Sequence, residues 1–192
     1  MPELPTTPRG AATSRRILDA AAEEFAERGI AGARIDRIVE AARTNKAQLY
    51  GYFGSKEGLF DAVIADHIGR SANATKFDAD DLPSWAVSLY DENLRRPRLI
   101  RLMAWARLEQ RPTGFVFTDF DPEPKLAAVT QAQAAGRLRA GDPFDLVTLV
   151  AAMAFAWSPA SSVYAASADE PAALHERRRV LLRDCVQRAV AP

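Results

Sequence analysis

The residues that could do chemistry crowd one short stretch. Arg34, Arg37, Arg43, Thr44, Asn45, Lys46, Gln48, Tyr50, Tyr52 and Lys56 follow one another closely. Guanidinium and ammonium groups donate to phosphate oxygens, whereas a glutamine amide pairs bidentately with adenine and a lysine donates to guanine acceptors. Gln48 and Lys46 therefore suit direct base reading, or else phosphate contact alone. From Arg28 to Lys56 the basic residues Arg28, Arg34, Arg37, Arg43, Lys46 and Lys56 face only Asp36 and Glu40. The whole chain balances 25 basic against 25 acidic residues, so the surplus is local, and a solvated face alone would also produce it.

Other chemistries find little support. Asp119 and Asp121 form an Asp-x-Asp with no histidine nearby, which reads as a loop turn rather than a metal site. His67 and His175 stand apart, and His175-Glu176 lacks a second histidine, so both read as surface or second-layer residues. Cys185 is the single cysteine, which excludes an internal disulfide and a cysteine zinc site and suits a small buried apolar residue. There is no nucleophile elbow, phosphate loop or dinucleotide fingerprint. The expectation is no catalytic residue, no metal, no cofactor and no enzyme.

The elements that must position the basic stretch are helical. Residues 1–12, rich in proline and small residues, read as a mobile tail. A helix over Ser14 to Arg28 turns Ile17, Leu18, Ala21 and Phe25 inward and Glu23, Glu24 and Glu27 outward, and Gly29 stops it. A second, short helix spaces Ile35, Ile38, Val39 and Ala42 at i, i+3, i+4 and i+7. A third starts at Lys46 after the N-cap Asn45, with Leu49, Tyr50 and Phe53 inward, and a fourth runs from Lys56 to about Gly69. Five more are expected over 83–95, 97–110, 123–140, 143–157 and 171–189, and only 114–120 looks like a strand. The fold class is all-α: a three-helix helix-turn-helix head over 13–53, with its motif at about 33–52, and a body of about six helices over 54–192, with 54–69 connecting them. Two short helices joined by about three residues cross steeply and offer the second to a major groove.

The string from Arg16 to Phe25, the segment Arg34 to Ala42, and above all Leu49-Tyr-Gly-Tyr-Phe-Gly-Ser-Lys-Glu-Gly-Leu-Phe60 resemble the TetR family of bacterial regulators over about Ser14 to Ile68. The resemblance implies a DNA-binding head, a regulatory body and a homodimer, usually a repressor released by a small ligand. It also implies that Tyr52 leans on the DNA backbone and that Lys56 contacts phosphate. Val39, Arg43 and Thr44 depart from the family pattern, which usually has alanine, glycine and an aliphatic residue there, and Arg34 replaces a capping threonine. Arg34 and Arg43 then become candidate phosphate contacts, or remain solvated. Leu49 divides evenly between core and a thymine methyl, while Tyr50 reads as core, with a phosphate contact by its hydroxyl the alternative. The DNA-binding set is Arg34, Arg43, Thr44, Asn45, Lys46, Gln48, Leu49, Tyr50, Tyr52 and Lys56. Arg9, Arg15 and Arg16 are candidates for a minor-groove arm, with Arg9 read rather as mobile and solvated.

In the body, Phe144, Val147, Ala151 and Ala154 with Leu174, Leu181, Leu182 and Cys185 form the expected dimer interface. Trp85, Tyr90, Met103, Trp105, Phe115, Phe117, Phe120, Met153 and Trp157 are candidate linings for a ligand pocket, or ordinary core, with Trp105 foremost. The expected partners are a double-stranded DNA operator, a second copy of the chain and a small, largely apolar effector. No apolar run reaches the roughly 20 residues that span a bilayer and no secretory start is present, so a soluble, cytoplasmic protein is expected. The rival reading is a helical ligand-binding or interaction module whose head is non-functional or secondary.

Overall fold

The computed structural model describes residues 7–71, 75–110, 113–114 and 121–192. Among the described residues there are nine α-helices and no strand: α1 Pro8–Gly32, α2 Ile35–Ala41, α3 Lys46–Phe53, α4 Lys56–Ser71, α5 Leu82–Arg95, α6 Pro97–Glu109, α7 Glu123–Ala134, α8 Pro143–Ala154 and α9 Ala172–Val190. The expected all-α class holds. The helices form two compact units that do not follow chain order, one of α1–α4 with α6 and the other of α5 with α7–α9. The single body expected over 54–192 is thereby divided, because α4 and α6 pack with the head.

The first unit closes around Ile17, Phe25, Ile38, Leu49, Leu59, Phe60 and Leu102, all buried. Phe25 meets Phe60 edge to face at 5.2 Å, and Arg15 ties α1 to α4 through Asp66 at 2.5 Å. Three expectations about α1 change. It starts at Pro8 rather than after Ala12, since proline suits a first turn and the Thr7 hydroxyl accepts from the Gly10 N–H at 3.2 Å. Gly29 does not end the helix but kinks it, at φ 70 and ψ −179, and the chain continues to Gly32. Glu24 is buried rather than outward, because α2 lays its N-terminus over it.

Gly29 is required where it stands. A Cβ there would lie 2.4 Å from Glu109 Oε1 and 2.9 Å from the Trp105 ring, in a backbone conformation that L residues avoid. The kink lets α6 dock: Trp105 Nε1 donates to Ala26 O at 3.4 Å, Glu109 accepts from the Ala31 N–H at 2.7 Å, and Arg98 pairs with Glu23 at 2.9 Å.

The second unit is built on α5, which packs on α8 and α9, while α7 packs on α8. Its core includes Trp85, Tyr90, Val129, Leu146, Val150, Leu182 and Val186. The helix expected over 123–140 stops at Ala134, where Gly136 turns with φ 69 and Gln133 Nε2 donates to the carbonyls of Arg139 and Gly141.

Candidate nucleic-acid interface

The turn between α2 and α3 is a complete Schellman closure. Arg43 N–H donates to Glu40 O at 3.1 Å and Thr44 N–H to Val39 O at 3.0 Å, so orphan carbonyls at the end of α2 are satisfied. The position that closure needs in the left-handed region is Arg43, at φ 50. It is the one non-glycine residue with positive φ among the described residues, and the conformation costs about 1 kcal/mol. Arg16 reinforces the same end by donating from Nε to Ala42 O at 3.0 Å, placing a cation where the helix dipole is negative.

Asn45 then caps α3 in extended backbone, its Oδ1 accepting from the Gln48 N–H at 2.8 Å. Along the outward face the side chains at i, i+4 and i+8 are joined. The Thr44 hydroxyl donates to Gln48 Oε1 at 2.6 Å, and Gln48 Nε2 donates to the Tyr52 hydroxyl oxygen at 3.1 Å. This row holds the Gln48 amide in one orientation while leaving its second N–H and the Tyr52 proton to act outward. Lys46 stands beside it, paired with Asp36 at 2.7 Å, and the carboxylate holds its ammonium above the usual lysine range. Both partners are exposed, so exchanging Asp36 for a phosphate costs little.

The other named residues sort as follows. Leu49 is fully buried, which assigns it to the core and removes the thymine contact. Tyr50, expected inward, is 42% exposed, because Leu49 and Phe53 at i and i+4 take the whole inward stripe of a two-turn helix. Lys56, at the start of α4, donates to Ala31 O at 3.3 Å. Arg34 is exposed and its side chain caps nothing, but its N–H donates to Glu24 Oε1 at 3.0 Å. Glu24 also accepts from Arg37 Nε at 2.8 Å. Burial alone would raise its pKa, but the bonds from Arg37 and the Arg34 amide outweigh it and hold the carboxyl below the usual range. The expected arginine arm is not formed: Arg15 is bound to Asp19 and Asp66 and Arg16 to Ala42 O. Instead Thr7, Arg9, Gly10, Thr13, Arg16, Arg43, Gln48 and Tyr52 line a polar cleft of about 410 Å³ beside α3.

The body residues are dispersed. Met103 and Trp105 lie half-buried on α6, in the unit with α1. Trp85 and Tyr90 are core in the other unit, where Trp157 meets Tyr90 edge to face at 5.8 Å and Met153 packs alongside. Phe115, Phe117, Phe120 and Asp119 lie outside the described residues. Asp121 caps α7 by accepting from the Glu123 N–H at 3.0 Å. Trp157 also borders an apolar cleft of about 540 Å³ with Tyr164, Arg177, Arg178 and Leu181. His175 is not at the surface: it is buried, with Nδ1 2.7 Å from the Tyr90 hydroxyl.

Of the residues expected at a dimer interface, Ala154 and Leu182 face the unit's own core. Phe144, Leu181 and Cys185 are exposed, with Val147, Ala151 and Leu174 half-buried. Leu149 and Val180 are exposed besides. The turn of 100° per residue puts Leu146, Val150 and Ala154 on one inward stripe of α8, which leaves Phe144 and Leu149 beyond it. Cys185, expected buried, sits on the outward side of α9. Sequence reasoning gave Arg16 and Glu24 other places, an arm and an outward face, and missed Glu109. Only Glu24 carried a signal, being a carboxylate one step from Phe25 on the apolar stripe.

A short capped helix presenting a polar reading face, braced by a second helix and set on a helical body, defines a helix-turn-helix DNA-binding regulator. Residues 17–63 match the family of bacterial regulatory proteins called tetR, and residues 81–188 match the tetracyclin repressor-like C-terminal domain. The chain belongs to the TetR family and is a DNA-binding transcriptional regulator. It is 39% identical over 147 residues to the HTH-type transcriptional repressor SCO4008 of Streptomyces coelicolor, covering 74% of this chain and 77% of that one. A solved Streptomyces coelicolor structure described as a transcriptional regulator, SCO4942, superposes with a TM-score of 0.76 at 36% identity, covering 93% and 98% of the two chains. A second solved structure, concerned with the control of antibiotic production by bacterial hormones, has a TM-score of 0.67 at 25% identity, covering 94% of this chain and 98% of that one.

Proposed function

We propose that the chain is a repressor that binds a pseudo-palindromic operator as a homodimer and leaves it when a small, largely apolar effector enters the body. The observation that carries the DNA part is the Thr44–Gln48–Tyr52 row, an oriented amide on the exposed face of a short helix. Gln48 reads a base, Lys46 reaches an acceptor once it leaves Asp36, and Tyr50, Tyr52, Arg34, Arg43 and Lys56 hold backbone. Repressor action follows the repressor it resembles at 39% identity. The exposed apolar groups of α8 and α9 support pairing with a second copy, and two-fold pairing makes the operator two-fold. Trp157, one of the candidate lining residues, borders the apolar cleft with Tyr164 and Leu181, and that cleft is where an effector would enter. No enzymatic role accompanies this, and the protein acts in the cytoplasm, where its DNA is. Among the described residues no helix is long and apolar enough to cross a membrane.

The test is a mobility-shift titration on the duplex upstream of the protein's own gene. A Gln48→Ala variant loses preference at one base position in each half-site, a change of about 1–3 kcal/mol there. Unchanged preference at every position would remove Gln48 as a reader, and a salt slope near zero would remove DNA binding itself.

A further inference from the structure

Most arginines of the first unit are already neutralised or engaged. Arg15 holds Asp19 and Asp66, Arg16 holds Ala42 O, Arg28 and Arg37 hold Glu24, and Arg98 holds Glu23. Arg9 and Arg43, like Arg34 and Arg101, have no side-chain hydrogen-bond or ion-pair partner among the described residues. Of these four only Arg9 and Arg43 line the polar cleft beside α3, although they come from opposite ends of the head's chain. Each is put there by a specific local device. Thr7 and Pro8 start α1 early enough to make Arg9 helical, so it does not trail in a tail. The Schellman closure places Arg43 at φ 50, a position where glycine would be free of strain. An arginine kept in a strained turn, with its charge unpaired, points to a role outside the free chain.

The cleft supplies what a phosphate diester needs. Two arginines with unpaired side chains line it, the Tyr52 hydroxyl proton and the second Gln48 amide proton are available, and no acidic side chain lines it. It also adjoins the row that reads bases, so a phosphate held here would set the register of α3 in the groove. We propose that Arg9 and Arg43 grip one and the same backbone phosphate of the operator. The inference rests on the regulator reading and adds to it a two-element clamp unique to neither helix. Its role is positioning, so it serves all sequences alike.

The experiment uses the full-length protein, fluorescence anisotropy, and two labelled duplexes, the upstream DNA and a scrambled one of equal length, titrated between about 50 and 200 mM potassium chloride, the range over which phosphate contacts separate clearly. In the Arg9→Gln, Arg43→Gln double variant, affinity falls about tenfold or more for both duplexes equally. The slope of log affinity against log salt becomes shallower by about 0.9, one phosphate's worth, and each single variant changes it by less, because the partner guanidinium still holds the group. A double variant with unchanged slope overturns the grip, and so does a change of about 1.8, which would mean two separate phosphates. A loss confined to the upstream duplex also overturns it, since that would be base reading. Wild-type protein that binds neither duplex overturns the grip and the regulator reading together, whereas the other adverse outcomes fall on the grip alone.

Discussion

Helices α3 and α9 both turn a face outward, but the two faces are finished to different degrees. On α3 the outward groups are polar and bonded to one another, from the Asn45 cap through Thr44, Gln48 and Tyr52. On α9 charged side chains such as Glu176, Arg177, Arg183 and Arg188 point outward, but Val180 at 59% and Leu181 at 50% stand exposed among them, and neighbouring α8 adds Phe144 and Leu149. A polar face needs orientation, which one chain can provide by local hydrogen bonds. An apolar face needs removal from water, which takes another surface. The difference suits the two faces to the two kinds of partner proposed above, DNA for α3 and a second copy for α8 with α9.

The strongest way to break this comparison is to charge the apolar face. Leu149→Glu combined with Leu181→Glu puts carboxylates where a second copy would exclude water, and burying an unpaired charge costs several kcal/mol. Dimer dissociation should rise about a hundredfold or more by sedimentation velocity, with helical content unchanged, because both side chains lie outside the unit's own core. A variant that stays dimeric would show that α8 and α9 do not form the interface.

A smaller effect tests whether the head's organisation lies in buried charge. Glu24 is held ionised by Arg37 and the Arg34 amide, so Glu24→Gln should cost about 1–2 kcal/mol at neutral pH. Its folded pKa lies below the unfolded value, near 4.3 for a free glutamate. The stabilisation is therefore complete above that value and is lost as pH falls through the folded pKa. In thermal melts, wild-type stability should drop more steeply than the variant's below about pH 4.5, and parallel curves would remove Glu24 from the account.

Next comes the cap. Asn45→Ala removes the acceptor for the Gln48 N–H and should cost about 1 kcal/mol of head stability. It should also weaken all DNA sequences alike, since it loosens α3 without touching a base. Loss at one base position only would mean that Asn45 is itself a reader.

These residues also mark how far the sequence could be followed. The short helices, their caps and the outward polar row follow from spacing and cap chemistry, which are local properties. Tyr50 could not be placed by pattern, because on a two-turn helix the inward stripe is filled by Leu49 and Phe53 alone. Glu24 and Arg16 are misplaced by pattern because their partners, the Arg34 amide and Ala42 O, are backbone atoms that only the crossing of α2 over α1 brings close. The packing of α6 with the head depended on the Gly29 kink, and a glycine near a helix end looks the same whether it stops the helix or bends it. In the body, Ala154 and Phe144 lie on different sides of α8, a helix apolar on most sides, where hydropathy gives no direction, and the adjacent Leu181 and Leu182 of α9 are told apart only by packing.

The smallest expected effect separates the two demands placed on α3, stability and binding, because they should move in opposite directions. Arg43→Gly keeps the Schellman closure and removes the cost of a side chain at φ 50, a gain of about 1 kcal/mol. Part of that gain is offset by the greater freedom of glycine in the unfolded chain. Thermal stability should therefore rise slightly or hold, while DNA affinity falls and the salt dependence becomes shallower. Where both fall together, the arginine is a structural part of the turn. Where only stability changes, its charge has no partner on the DNA. Opposite signs would show that the turn tolerates strain in order to present a cation, the same trade of local comfort for an outside contact that leaves Val180 and Leu181 of α9 in water.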